Sequence, residues 1–146
     1  MTNIFLEFEK QFSEISPPKF IGILAEEQFR QELIQNFNEF KDLKCHPMEL
    51  HLVEPKESLD FPLRWQSMVL KSKANYSVKV FLHSIPNNSS SDWIYKHMRD
   101  ESHTCLEAAA DILMFVFQEP NKIIPTVKVV KHVGGSKGGE LEISED

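Results

Sequence analysis

Cysteine is scarce in this chain: Cys45 and Cys105 are the whole complement in 146 residues. Two isolated thiols make no disulfide framework, so a reducing compartment is expected, with the cytoplasm as the default location. Long hydrophobic runs are also missing. The longest cover residues 20–25 and 112–117, far short of a membrane span, and no membrane partner is expected. The first ten residues interleave Ile4, Phe5, Leu6 and Phe8 with Glu7 and Glu9. A secretory leader needs a basic start and an unbroken apolar stretch, and this is neither. A phosphate loop of the form G-x-x-x-x-G-K-[ST] is absent too.

What is present suits one ordinary domain over residues 1–146. The chain is 41% hydrophobic and 26% charged, with a net charge of −6. A chain this long buries about 68–70% of its extended surface and needs no metal or disulfide staple.

Ile4, Phe5, Phe8, Phe12 and Ile15 recur at helical spacing and predict a first helix, stopped by Pro17 and Pro18. The next segment has two readings. One is a short buried strand at 20–24 leading into a helix. The other, favoured by an unbroken stripe at Ile21, Leu24, Phe29, Leu33, Phe37 and Phe40, is a single long helix opened by Pro17. From Cys45 the period changes to two. Met48, Leu50 and Leu52 face one way, and Glu49, His51 and Val53 the other, as in a half-buried strand.

Residues 65–71 and 75–85 read as a hairpin with Tyr76, Val78, Val80 and Leu82 on one face. A helix is predicted over 92–118 on the stripe Ile94, Met98, Cys105, Ala109, Ile112 and Val116. Its last turns, 112–117, are apolar all round and need cover on every side, which makes Phe115 and Phe117 candidate apolar contacts. A strand after Pro125, a glycine turn at 134–139, a short strand and an acidic end complete the chain. The expected fold is α+β: a mainly antiparallel sheet of about five strands packed by two or three helices, in the order α-α-β-β-β-α-β-β.

Candidate chemistry is sparse. The glycine loop 134–139 leads into Glu140-Leu141-Glu142-Ile143, a strand with carboxylates, and not into the helix N-terminus that a phosphate cradle requires. Cys45, His46, Glu49 and His51 bring three ligand types within seven residues. Glu49 and His51 share a strand face, but a metal needs further ligands, with His83 and His132 as candidates, and nothing in the spacing selects either. His97 and His103 lie six apart, on opposite sides of a helix. The strand Ser77-Val78-Lys79-Val80 lacks the carboxylate that a metal-dependent nuclease places before its lysine. No catalytic residue, metal or cofactor is therefore assigned.

Charge is segregated along the chain. Residues 61–91 carry Arg64, Lys71, Lys73 and Lys79 without one acid, and 120–139 carry Lys122, Lys128, Lys131 and Lys137 without one acid. Residues 1–60 are net −6 and residues 92–119 are net −4. Basic strands against acidic helices predict a bipolar surface, with Arg64, Lys71, Lys73, Lys79, Lys128 and Lys131 as the interaction residues. The leading expectation is a non-enzymatic assembly or adaptor protein that packs with its own copies, head to tail into a ring, or with an acidic partner. The alternatives are a nucleic-acid-binding module, disfavoured by the net charge, with Trp65, Tyr76 or Phe81 as stacking platforms, and an enzyme with dispersed site residues.

Overall fold

The computed structural model describes residues 2–17, 19–53, 77–88, 110–133 and 139–143. In chain order the elements are α1 (Ile4–Gln11), β1 (Lys19–Glu26), a 3₁₀ turn (Glu27–Phe29), α2 (Arg30–Leu43), β2 (Met48–Val53), β3 (Val78–Ile85), β4 (Ile112–Phe117), β5 (Thr126–His132) and β6 (Glu140–Leu141).

The strands form one sheet in the order β2-β3-β1-β4-β5-β6. β1 lies between β3 and β4 and is parallel to both, and β2 is parallel to β3. Only β5 and β6 run antiparallel to their neighbours. The α+β content stands, but the expected mainly antiparallel sheet of about five strands is replaced by a six-stranded mixed sheet with a parallel core. The order α-α-β-β-β-α-β-β fails with it, because a strand separates α1 from α2.

The run 112–117, expected as a helix end, is a strand, and of the two readings for 20–25 the structure has the buried strand leading into a helix, against the favoured long helix. Residues 20–25 belong to β1, and the helical stripe proper begins only at Leu33, continuing through Phe37 and Phe40 on α2. The predicted helix over 92–118 fails at its C-terminal end, where Ile112–Phe117 is β4 with all six residues buried. Its stretch 92–109 lies outside the described residues, as does Cys105. A parallel strand covered on both faces reads as a continuous apolar run and loses the alternation that marks a half-buried strand.

The two faces of the sheet carry separate cores. On one, α1 and α2 bury Ile4, Phe5, Phe8, Leu33, Phe37 and Phe40 against Ile21, Ile23, Val80, Ile112, Met114 and Val116. On the other, Phe20, Leu24, Phe81, Leu113, Phe115 and Phe117 cluster. Successive residues of β4 thus alternate between two buried environments.

α1 starts where Asn3 caps it. The Asn3 carboxamide oxygen accepts from the amides of Phe5 at 3.0 Å and Leu6 at 3.4 Å, and its Nδ2 donates to the Asn36 carbonyl on α2 at 2.8 Å. One side chain both caps α1 and docks it. The Phe5 ring stacks on Phe40 at 5.5 Å. β2 forms where the sequence reading has a strand, and β5 starts after Pro125 as expected, but the half-buried alternation in β2 does not hold, because Leu52 is exposed and Val53 buried. The hairpin arm 65–71 lies outside the described residues, whose strands β2 and β1 flank β3 in parallel.

Candidate functional site

The predicted basic surface divides. Arg64, Lys71 and Lys73 lie outside the described residues. Lys79 is a correction: it is only 4% exposed, and its ammonium is bound by the Glu49 carboxylate on the adjacent strand. A buried, neutralised lysine presents no field to a partner.

Lys128 and Lys131 are half-buried on β5. Three residues apart, they would face opposite ways on a regular strand. The pairing of β4 with β5 shifts register between Leu113 and Met114, so Lys128 aligns with Phe115 and Lys131 with Leu113. Both therefore stand on the face away from α1 and α2, and the Lys128 ammonium lies 5.7 Å from the centre of the Phe117 ring. Phe115 and Phe117, expected as apolar contacts, are 0% and 2% exposed in the second core, so neither reaches a partner. Phe81, offered as a stacking platform, is fully buried between Phe20 and His51, at 4.6 Å from each ring.

The suspected metal corner is occupied by a lysine. His51 Nε2 lies 3.4 Å from Glu49 Oε2, the same oxygen that Lys79 holds. Lys79, more than His51, holds the Glu49 carboxyl below its ordinary range by hydrogen bonding to the ionised form. His83 shares this face, but His132 stands on the opposite one, 2.9 Å from the Ser13 hydroxyl and edge-on to Phe8 at 5.0 Å. Among the described residues no three His, Cys, Asp or Glu side chains converge.

Polar groups gather instead at the carboxyl ends of the parallel strands. Glu26, the last residue of β1, is 0% exposed. Its Oε1 accepts from the backbone amide of Gln118 at 2.5 Å and from Gln28 Nε2 at 3.2 Å, tying the end of β1 to the end of β4. The Gln28 amide donates to Asn87 Oδ1 at 2.9 Å, and Arg30 Nη1 donates to Ser84 Oγ at 3.2 Å. These contacts join the start of the β1–α2 connection to the end of β3. Asn88, at φ 64°, turns the chain away through the left-handed region. None of these residues was singled out from the sequence as a site residue. The one available signal was Glu26 itself, an acid abutting the apolar run 20–25.

The same edge continues past β4. Because Phe117 aligns with Thr126 and Val127 with Leu141, residues 121–126 and Ile143 lie at this end of the sheet. They line a groove of about 680 Å³ with apolar walls at Ile123, Ile124, Pro125, Leu141 and Ile143 and a charged rim at Lys122, Glu140 and Glu142. Ile123 is 88% exposed. Lys122 Nζ lies 2.7 Å from Glu119 and 3.5 Å from Glu140, and Thr126 Oγ1 donates to Glu119 at 3.0 Å. Lys122, followed by Thr126, holds the Glu119 carboxyl below its ordinary range, and Glu119 raises Lys122 in return. The arrangement sets apolar cover beside fixed charges. No protein-family model matches the chain, and no curated protein is significantly similar to it.

Proposed function

We propose that the chain is a ligand-binding α/β domain whose site is the carboxyl edge of its parallel strands. The observation that carries this reading is the reversal of strand order about β1. The connection leaving β1 leads to β2 on one side of it, and the connection leaving β3 leads to β4 on the other. In open α/β sheets the crevice outside the carboxyl ends at such a reversal is the usual ligand position. Here that edge carries the polar ring of Gln28, Arg30, Asn87 and Gln118, with the groove beside it.

The groove has a volume in the range of small-molecule sites. Among the described residues that line it, Glu140 and Glu142 stand against Lys122, which Glu119 also engages from beside the groove. A ligand with an apolar body and a cationic head fits that balance. Phenethylamine against phenylacetate tests it, read by amide shifts in NMR. The amine is expected to move the resonances of Ile123, Leu141 and Ile143 and to bind more weakly to Glu140→Gln. Equal binding of amine and acid, or shifts confined to other parts of the chain, would count against the reading.

Self-assembly through charge is a second proposal, favoured by one observation. Glu32, Glu39 and Asp42 are exposed on α2, while Lys128 and Lys131 stand on the opposite face of the sheet. Light scattering on a Lys128→Glu, Lys131→Glu variant tests it, with loss of association at low salt as the expected result. Assembly unchanged by the double reversal would eliminate the charge pattern as its cause.

A further inference from the structure

We infer that β2 is the seam of a two-fold dimer, in which a second copy adds its own β2 antiparallel in a register centred on Leu50. Among the described residues β2 ends the sheet, with β3 on its inner side only. Its burial pattern sets it apart from the central strands. β3 and β4 are buried at every residue, whereas β2 is buried only at its ends, Met48 and Val53, and keeps exposure at each of the four residues between. Leu52 is 44% exposed, and the side chains of Glu49 and His51 are 51% and 36% exposed. Both faces of the strand's middle reach solvent.

Glu49 is the one acidic residue on the strand, and other devices that blunt an edge are missing from it. It contains neither lysine nor proline, and its pairing with β3 runs from Met48 to Val53 without a bulge.

The backbone phase fixes which groups remain outward. The Val78 amide donates to the Pro47 carbonyl, so residue 47 points its carbonyl at β3. Peptide direction alternates along a strand, hence Glu49, His51 and Val53 also bond inward, and Met48, Leu50 and Leu52 present their N–H and C=O outward. A two-fold axis through Leu50 pairs Leu50 with Leu50 and Met48 with Leu52, each pair exchanging two hydrogen bonds. All three outward residues are then used.

The side chains agree with this register. Antiparallel partners share a face. On the α2 side Leu50 meets Leu50 and the exposed Leu52 meets Met48 of the second copy. On the other side Glu49 falls opposite His51 of the second copy, twice, in the close non-hydrogen-bonded pairing. Centring one residue later would set His51 against His51 and Glu49 against Val53, and leave the outward groups of Met48 without a partner inside the strand. The carboxylate–imidazole pairing and the backbone hydrogen bonding therefore select the same register. The contact is isologous and closes at two copies. It uses neither the groove nor Lys128 and Lys131, so it is independent of both readings above.

Sedimentation over a concentration series, with site-directed cross-linking, tests the seam. The wild-type chain is expected to show a concentration-dependent dimer. Leu52→Pro removes an outward donor and leaves the inward ladder to β3 intact. It is expected to keep its circular dichroism and to raise the dimer dissociation constant by about tenfold or more. Under mild oxidation Leu50→Cys is expected to form an intermolecular disulfide, because paired Cα atoms there lie at about 5.5 Å, within disulfide reach. His51→Cys is not expected to form one, and the unsubstituted chain with its own thiols gives the background. A monomeric wild type at every concentration overturns the proposal. So does a disulfide from His51→Cys in place of Leu50→Cys, and so does a folded Leu52→Pro variant that dimerises like wild type. Should Leu52→Pro fail to fold, the two cysteine variants decide alone. A dimer that survives the Lys128→Glu, Lys131→Glu change is the expected result if this edge, and not surface charge, holds the copies.

Discussion

Lys79 and Glu49 form an ion pair across two parallel strands in which one partner is buried and the other is half in water. Lys79 is 4% exposed, whereas the Glu49 side chain is 51% exposed. The asymmetry has an energetic consequence. Removing Glu49 strands a buried ammonium, which costs about 1–3 kcal/mol for the lost charged hydrogen bond. Removing Lys79 instead leaves a carboxylate that water solvates. Glu49→Gln is therefore expected to destabilise the fold by about 1–3 kcal/mol, and Lys79→Met by less. Urea denaturation of both variants checks the order. A larger loss for Lys79→Met would mean that the stem of the lysine, and not its charge, matters.

The same pair sets part of the acid stability. Lys79 lowers the folded Glu49 pKa below its ordinary value of 4.5. A depressed carboxylate contributes stability that is fully present above the unfolded value and is lost as pH falls through the folded one. The contribution of Glu49 is thus intact at neutral pH and disappears on the acid side of 4.5. Stability measured from pH 7 downwards should fall less steeply in Glu49→Gln than in wild type. Parallel acid limbs would dissociate the pair from acid unfolding.

Asn3 serves α1 twice, through its oxygen to Phe5 and Leu6 and through its Nδ2 to Asn36. Asn3→Ala is expected to lower stability by about 0.5–2 kcal/mol, the usual range for a lost N-cap. Asn3→Asp keeps the acceptor but puts an oxygen against the Asn36 carbonyl, so it should recover only part of the loss. Thermal melts of the two variants separate capping from docking.

Phe115 fills the second core on a central strand. Phe115→Ala is expected to cost about 3–5 kcal/mol, the range for emptying a buried aromatic site. As a surface contact the residue would change association and leave the monomer's stability untouched. Chemical denaturation at a fixed low protein concentration tells these apart.

Several elements were legible in the sequence. Ile4, Phe5 and Phe8 mark one face of α1, Met48 alternates with Glu49 along β2, and Pro125 places the start of β5. In α1 one side is buried and the other wet, so burial leaves a periodic imprint, whereas along β2 the apolar–polar alternation of the sequence is not matched by burial, with Leu52 exposed and Val53 buried. Ile112–Phe117 carries no such imprint, because both faces of β4 are buried, and residues 20–25 share that ambiguity. Of the candidate site, the lysines were visible as a charge pattern but their surroundings were not.

What the sequence determined by itself was the local alternation of apolar and polar residues, and with it β2 as a strand, α1 and the segregation of charge. Only the tertiary structure decided that Lys79 is consumed by Glu49, that a register shift beside Val130 turns Lys128 and Lys131 to one face, and that Glu26 meets the amide of Gln118. Those outcomes depend on which strands become neighbours. Neighbours separated by 92 residues are chosen by the packing of the whole sheet, and no local spacing records that choice.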